Sequence, residues 1–312
     1  MAINNERLLH AQHRGVSDSS DIINGVSLGG LMSASIQCGY DDIVTAGADG
    51  YSFPETDRLT QFVRGTIQCQ DWKEVLNVLG GASSRYVFYE RESGGATWRM
   101  NTLYDPYIHS ATLNFDHRGR ASVSFGFECW ASDAATGFSA LWARSDAMGL
   151  PSDVISYSPG MEMTAGILGT SPVLGEPFYH LLNLTVNISG QIVRASGDGD
   201  VGYTAVDIVW GGVPMGGSMT FQDASDAWNL LQEVESDLYI TINQCQGESD
   251  AYLILQNVLF TNLGSTSSAG PGHTPYTLDF ILNSDGTTPI GYDTNLPFVG
   301  DAAGIEVSDI DL

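Results

Sequence analysis

Short runs in which apolar and polar residues alternate recur along most of the chain, and this period of two marks strands with one buried face. In the first half such runs cover residues 31–40, 59–70, 85–90, 108–115 and 121–130. A segment rich in Gly, Asp and Pro (41–57) separates the first two, which read as a hairpin with a long tip, and the turn-like DHRGR segment at 116–120 joins the last two. In the second half the runs cover 182–193, 203–210, 217–222, 237–244, 252–260 and 276–283. One segment in each half changes period. Asp71 is placed as a helix N-cap with Glu74 three residues on, while Trp72, Val75, Leu76 and Leu79 make an apolar face that Gly80 and Gly81 terminate. The corresponding helix, 223–235, opens on Asp223 and carries Trp228 and Leu231. The fold class that follows is mainly β, a sandwich or barrel with one short helix per repeat.

The repeat is visible in the letters. GTIQCQDWKEVLNVL (65–79) aligns without a gap on GSMTFQDASDAWNLL (217–231), matching Gly65 to Gly217, Gln70 to Gln222, Asp71 to Asp223, Asn77 to Asn229 and Leu79 to Leu231. The surrounding pattern keeps the same register. The expected organisation is an N-terminal arm (1–24), a first copy (25–130), an irregular connection with at most one helical turn (131–180), a second copy (181–283) and an acidic C-terminal arm (284–312). Both arms are polar and need a partner surface to be ordered.

Composition sharpens the picture at one point. The 312 residues carry 37 Asp and Glu against 12 Lys and Arg, a net charge of −25, and Lys73 is the only lysine. Such a surface repels nucleic acid and acidic membranes. Three readings stay open: solubility, adaptation to high salt, where charges a few ångströms apart are already screened, and an acid-lined surface past which DNA slides. The first fifteen residues are polar and no apolar run approaches a bilayer-spanning length, so neither a signal peptide nor a membrane protein is expected. Cys38, Cys69, Cys129 and Cys245 form no CxxC or Cys/His cluster and are expected to be free thiols, with a Cys38–Cys69 bridge open if the two lie on adjacent strands.

Candidate chemistry is thin. His10, His13, His109, His117, His180 and His273 have no metal-ligand spacing, and no metal or cofactor is expected. Gly197 to Gly202 fits GxGxxG, but a strand-like run follows where a helix is required, and its aspartates would repel a pyrophosphate. Gly25 to Gly29 fits GxSxG around Ser27 without the strand-to-helix context of a nucleophile elbow. The carboxylates at Asp41, Asp42, Asp198 and Asp200 have no calcium-ligand series and read as solvated loop acid. The sequons at Asn183 and Asn187 read as fortuitous. Trp72 and Trp228 are expected to pack a short amphipathic helix against its sheet. No catalytic residue is nominated, and an enzyme is not expected.

A domain that runs strand, long hairpin, helix and further strands resembles the tail-tube fold of tailed bacteriophages and contractile injection systems. The residues that carry this resemblance are 41–79 and, in the second copy, 203–231. The resemblance implies two tandem tail-tube-like domains and a virion tail protein of a tailed bacteriophage or archaeal virus, made in the host cytoplasm. Three chains would then close into a trimeric, pseudo-sixfold ring, and stacked rings would conduct the genome without binding it tightly. Implied partners are further copies of the chain and tape-measure, tail-terminator or baseplate proteins. Implied inter-ring contacts are Asp41, Asp42, Tyr51, Phe53 and Asp57 in the long loop and Leu8 and Leu9 in the arm. Competing readings are a capsid decoration or host-recognition β-sandwich, a baseplate hub protein, and a glycoside hydrolase using paired carboxylates.

Overall fold

The computed structural model describes residues 8–15, 26–28, 32–45, 55–70, 84–91, 98–117, 121–130, 137–147, 163–168, 174–177, 181–195, 205–209, 215–232, 236–242, 251–265, 274–282 and 305–309. Over these residues the protein is mainly β, with one α-helix and antiparallel pairing throughout. The first half holds β1 (Leu8–Gly15), β2 (Val26–Leu28), β3 (Ser33–Thr45), β4 (Glu55–Cys69), β5 (Ser84–Arg91), β6 (Trp98–Leu103), β7 (Tyr107–Asp116), β8 (Ser122–Trp130) and β9 (Trp142–Ala147). The second holds β10 (Met163–Leu168), β11 (Leu174–Pro177), β12 (Leu181–Ser189), β13 (Gln191–Ala195), β14 (Ala205–Val209) and β15 (Gly216–Phe221), then α1 (Ala224–Gln232), β16 (Ser236–Ile242), β17 (Ala251–Ser265), β18 (Tyr276–Leu282) and β19 (Ile305–Asp309).

The pairing repeats strand for strand. In the first half one sheet runs β2-β1-β5-β6-β9, and β3, β4, β8 and β7 follow one another in a second. In the second half the orders are β11-β10-β16-β17 with β19 on the far side of β17, and β12-β15-β18-β17. The register repeats too. Gly65 lies opposite Ile36 and Phe127, and Gly217 lies opposite Val186 and Phe280. Tyr86 faces Leu103, which faces Trp142; Leu238 faces Leu255, which faces Ile305. A bulge between Ile108 and Ser110 recurs between Phe260 and Asn262. Bulges re-aim a strand and are seldom placed by accident. The described strands of the two halves therefore follow one pairing scheme.

This pairing redraws the expected boundaries. Residues 8–15, expected in an arm, form β1 and pair with β5 over their whole length. Among its described residues the expected irregular connection holds one 3₁₀ turn (Phe138–Ala140) but also β9, β10 and β11, and β19 lies in the expected C-terminal arm. These strands are short and their alternation is weak, so only their partners reveal them. The expected loop 41–57 is strand at both ends, since β3 runs on to Thr45 and β4 begins at Glu55. There the ladder overrides the turn-like composition. The expected strand 182–193 is broken at Gly190 into β12 and β13, the latter pairing among the described strands with β14 alone.

The two units differ where β6 meets β7. In the first, Asp105 adopts a left-handed φ of 45° and Pro106 brings no N–H to a ladder, so the chain leaves one sheet and enters the other. In the second, β17 runs unbroken through both sheets: residues 251–258 pair with β16 and 258–265 with β18. Pairing of β7 with β12 joins the units into a single 12-stranded sheet. One hydrophobic core spans both, with Phe115, Phe125, Phe127, Phe221, Phe280 and Ile67 among its largest fully buried side chains.

The helix of the second unit forms as its sequence dictates. The Asp223 carboxylate accepts the backbone N–H of Ser225 at 2.8 Å and the Ser225 hydroxyl at 2.7 Å, an N-cap, and Asp226 sits in the first turn where the helix dipole favours negative charge. Ala227 and Leu230 are buried and Leu231 is partly buried against the core. Trp228 does not pack there: it is 57% exposed, lying about 100° around the helix from Ala227. Asp71, Trp72 and Leu79 of the first unit's expected helix lie outside the described residues.

The two register glycines have the same reason to be glycine. A methyl on Gly65 would sit 1.8 Å from the Ser35 carbonyl oxygen and 3.1 Å from the Phe127 ring; on Gly217 it would sit 1.9 Å from the Thr185 carbonyl oxygen and 2.8 Å from the Phe280 ring. Backbone cannot give way as a side chain can. Gly65→Ala and Gly217→Ala are each expected to lose at least the ~1–3 kcal/mol typical of overpacking. Gly126→Ala, which meets the rotatable Ser110 hydroxyl at 2.6 Å, should lose less. Urea unfolding of the three variants checks this, and equal losses would refute it.

Candidate assembly surface

The junction between the units is built on both faces of the β7–β12 ladder. On the buried face Leu184 lies opposite Phe115, Val186 opposite Leu113 and Ile188 opposite Ala111. On the other face the opposed residues are polar and bond to one another. The Thr185 hydroxyl donates to Asn114 Oδ1 at 2.9 Å, the Thr112 hydroxyl donates to Asn187 Oδ1 at 3.1 Å, and Asn183 Nδ2 donates to the Asp116 carboxylate. Such directly opposed pairs are the unit of sheet stability. The two sequon asparagines thus serve the ladder.

A second contact braces the junction from β13. The Arg194 guanidinium meets the Glu128 carboxylate at 2.6 Å and lies over the Trp130 ring at 4.0 Å, while Trp130 Nε1 donates to Glu128 at 2.9 Å. Trp130 in turn leans on Phe62, whose ring lies under Arg64. His109, the bulged residue of β7, lies beside this cluster. Its pKa is held below the ordinary value chiefly by burial; Glu128 opposes the shift and Arg194 adds to it.

Among the described residues, two strands of corresponding kinds each have an edge with no paired strand. β3, the counterpart of β12, is the last described strand on its side, and residues 259–265 of β17, the counterpart of β7, pair with β18 alone among the described strands. Ser33, Ser35, Gln37 and Cys38 are exposed on the first edge; Thr261, Asn262, Gly264 and Ser265 are exposed on the second. Unpaired strand edges are templates for another strand unless charge, proline or a covering element blocks them. Neither 33–39 nor 259–265 contains a charged residue or a proline, in a chain of net charge −25.

The expected contact residues fall elsewhere. Leu8 and Leu9 lie in β1, opposite Arg91 and Glu90. Asp41, Asp42 and Asp57 lie in the distal part of the β3–β4 hairpin, with a bulge between Asp41 and Asp42, and Tyr51 and Phe53 lie outside the described residues. The open edges carry no motif, and the signal that could have found them was the charge-free composition of the two segments. Ser27 sits within β2 opposite Gln12, so its GxSxG is no elbow, and the GxGxxG segment lies outside the described residues. Cys38, Cys69 and Cys129 are in no disulfide, and Cys38 faces Val63 while Cys69 faces Val123, which removes the bridge left open by sequence. Burial pushes the Cys129 thiol far above its ordinary range, with Asp105 and Glu128 adding to the shift. Among the described residues no group of three His, Cys, Asp or Glu side chains is placed to hold a metal ion, and no helix is long and apolar enough to cross a membrane.

No protein-family model matches the sequence, and no curated protein matches it significantly.

Two predictions concern the junction. Arg194→Ala removes an ion pair and a ring contact and is expected to lower the unfolding free energy by about 1–2 kcal/mol. Arg194→Lys should recover less than half of this, because an ammonium cannot lie flat on the indole while reaching Glu128. Full recovery by lysine in denaturant titrations would show that charge alone matters. For His109 the folded pKa lies below the unfolded one, so between them the unfolded chain holds more protons. Its contribution is constant well above about pH 6.5 and stability falls as pH drops through that value. His109→Gln should flatten the decline in urea midpoint between pH 7.5 and 5.5 relative to the wild type; parallel curves would refute this.

Proposed function

We propose that this chain is a structural tail-tube subunit of a tailed virus, in which three chains close head to tail into a ring of six units and rings stack into a hollow conduit for the genome. The observation that carries the reading is the matching pairing of the two halves, joined through β7 and β12, which among the described residues leaves one edge of each kind without a paired strand, on β3 and on residues 259–265 of β17. A unit whose leading and trailing edges differ makes a heterologous contact, which either closes into a ring or grows as a filament. Two units per chain supply sixfold-like geometry from three chains. Closure would also remove the exposed edges that otherwise invite aggregation.

The charge distribution fits passage of a polyanion without capture. The face of the joined sheet opposite the core carries chiefly hydroxyls and amides, among them Ser35, Gln37, Thr112, Asn114, Thr185 and Ser218. Its described cations are few, and phosphate affinity grows with the number of cations engaged. Acid elsewhere on the chain opposes close approach of copies at low salt, and this repulsion is screened as salt rises.

Negative-stain electron microscopy of the purified protein at low and at multimolar salt tests the reading. Hollow tubes or stacked rings with sixfold-like projections are expected, and more of them at high salt. Discrete compact particles under every condition, with sedimentation giving one small species, would overturn it in favour of a decoration or recognition module.

A further inference from the structure

Resting on that assembly reading, we infer that β3 of a second copy of this chain pairs with residues 259–265 of β17, in the register that β12 and β7 use within one chain. The register is Gly39 opposite Asn262, Cys38 opposite Leu263, Gln37 opposite Gly264 and Ile36 opposite Ser265.

The β7–β12 pairing carries over to the two edges through two equivalences. Gly65 faces Ile36 and Gly217 faces Val186, each glycine packed under the same phenylalanine position, so Ile36 is the counterpart of Val186 and Cys38 of Ile188. The shared bulge makes Ser110 the counterpart of Asn262, and Ala111 that of Leu263. Within the chain Ser189 faces Ser110, Ile188 faces Ala111, Asn187 faces Thr112 and Val186 faces Leu113. Replacing each residue by its counterpart gives the register stated. Side-chain direction agrees: Ile36 and Leu263 are partly buried and pack on the core, whereas Gln37 and Gly264 are exposed. A one-residue slip would put Leu263 opposite outward-facing Gln37 and cross the two faces. The absence of charge and proline from both segments is a second observation pointing to pairing, because edges meant to remain single are usually protected by one or the other.

Cys38 is a native, exposed probe of this register. Opposed residues on antiparallel strands are separated by about 4.5–5.5 Å between Cα atoms, within the range a disulfide spans. Leu263→Cys, oxidised mildly at a protein concentration where particles are seen, is expected to give disulfide-linked oligomers on non-reducing gels, ending in a covalent trimer. Adding Cys38→Ser should abolish them. Asn262→Cys and Gly264→Cys, whose side chains take the other face, should link at least tenfold less. Should Leu263→Cys perturb folding, as circular dichroism would reveal, Ile36→Cys with Ser265→Cys in a Cys38→Ser background probes the next inward pair. Rings or tubes without either cross-link would overturn the register and leave the tube reading standing. Wild-type dimers linked through Cys38 on both chains would overturn it in favour of like-edge pairing. A protein that neither links nor assembles at any salt would overturn both.

Discussion

The β7–β12 ladder is the constraint on which the molecule depends. Without it each unit would end in an exposed strand and the core would be divided between two smaller bodies, each burying a lower fraction of its surface. With it, apolar pairs such as Val186 and Leu113 lie under a ladder of hydrogen-bonded amides and hydroxyls, and one core runs through both units. Arg194 adds a brace that reaches from β13 back to β8. Neither open edge carries an arginine at the corresponding place, since Val44 in β3 takes the position nearest to Arg194, so a contact between chains would lack this brace. The covalent pair is thereby distinguished from its neighbours in any larger assembly.

How much of this was legible in the sequence varied with the strength of the local signal. The alignment of 65–79 with 217–231 begins on β4 and β15, which hold matching places in the strand order, and the second unit's helix formed where Asp223 placed its cap. Long alternating runs such as 108–115 and 121–130 became β7 and β8 within a residue or two. The repeat nevertheless extended much further than its letters. β1 and β10, or β9 and β19, share partners and register but almost no identities, because a strand's place in a sheet depends on backbone pairing and on the face it buries. The same reason makes 41–45 and 55–57 strand: Asp41, Asp42 and Asp57 weigh against strand locally, and a thirteen-residue ladder outweighs them.

The candidate site was less legible than the fold. Nothing in the pattern of 33–39 or 259–265 separates an edge strand from a central one, because alternation reports only which face is buried. Edge status is a fact about neighbours. Trp228 shows the converse: its size and helical position argued for the core, yet the stripe that packs is Ala227, Leu230 and Leu231, and the indole is left at the surface. A short helix has two candidate stripes a fraction of a turn apart, and the sheet beneath selects between them.

The unbroken course of β17 has a mechanical meaning. A pull along that strand is borne in shear by the ladders with β16, β18 and β19 together, which must yield at once, whereas the same pull on the first unit reaches residues 104–106, where a left-handed aspartate and a proline interrupt the ladder. On this geometry the second half is expected to resist such a pull more than the first. A ring of three such chains would alternate rigid and yielding segments around its circumference, and it would breathe at three places instead of six.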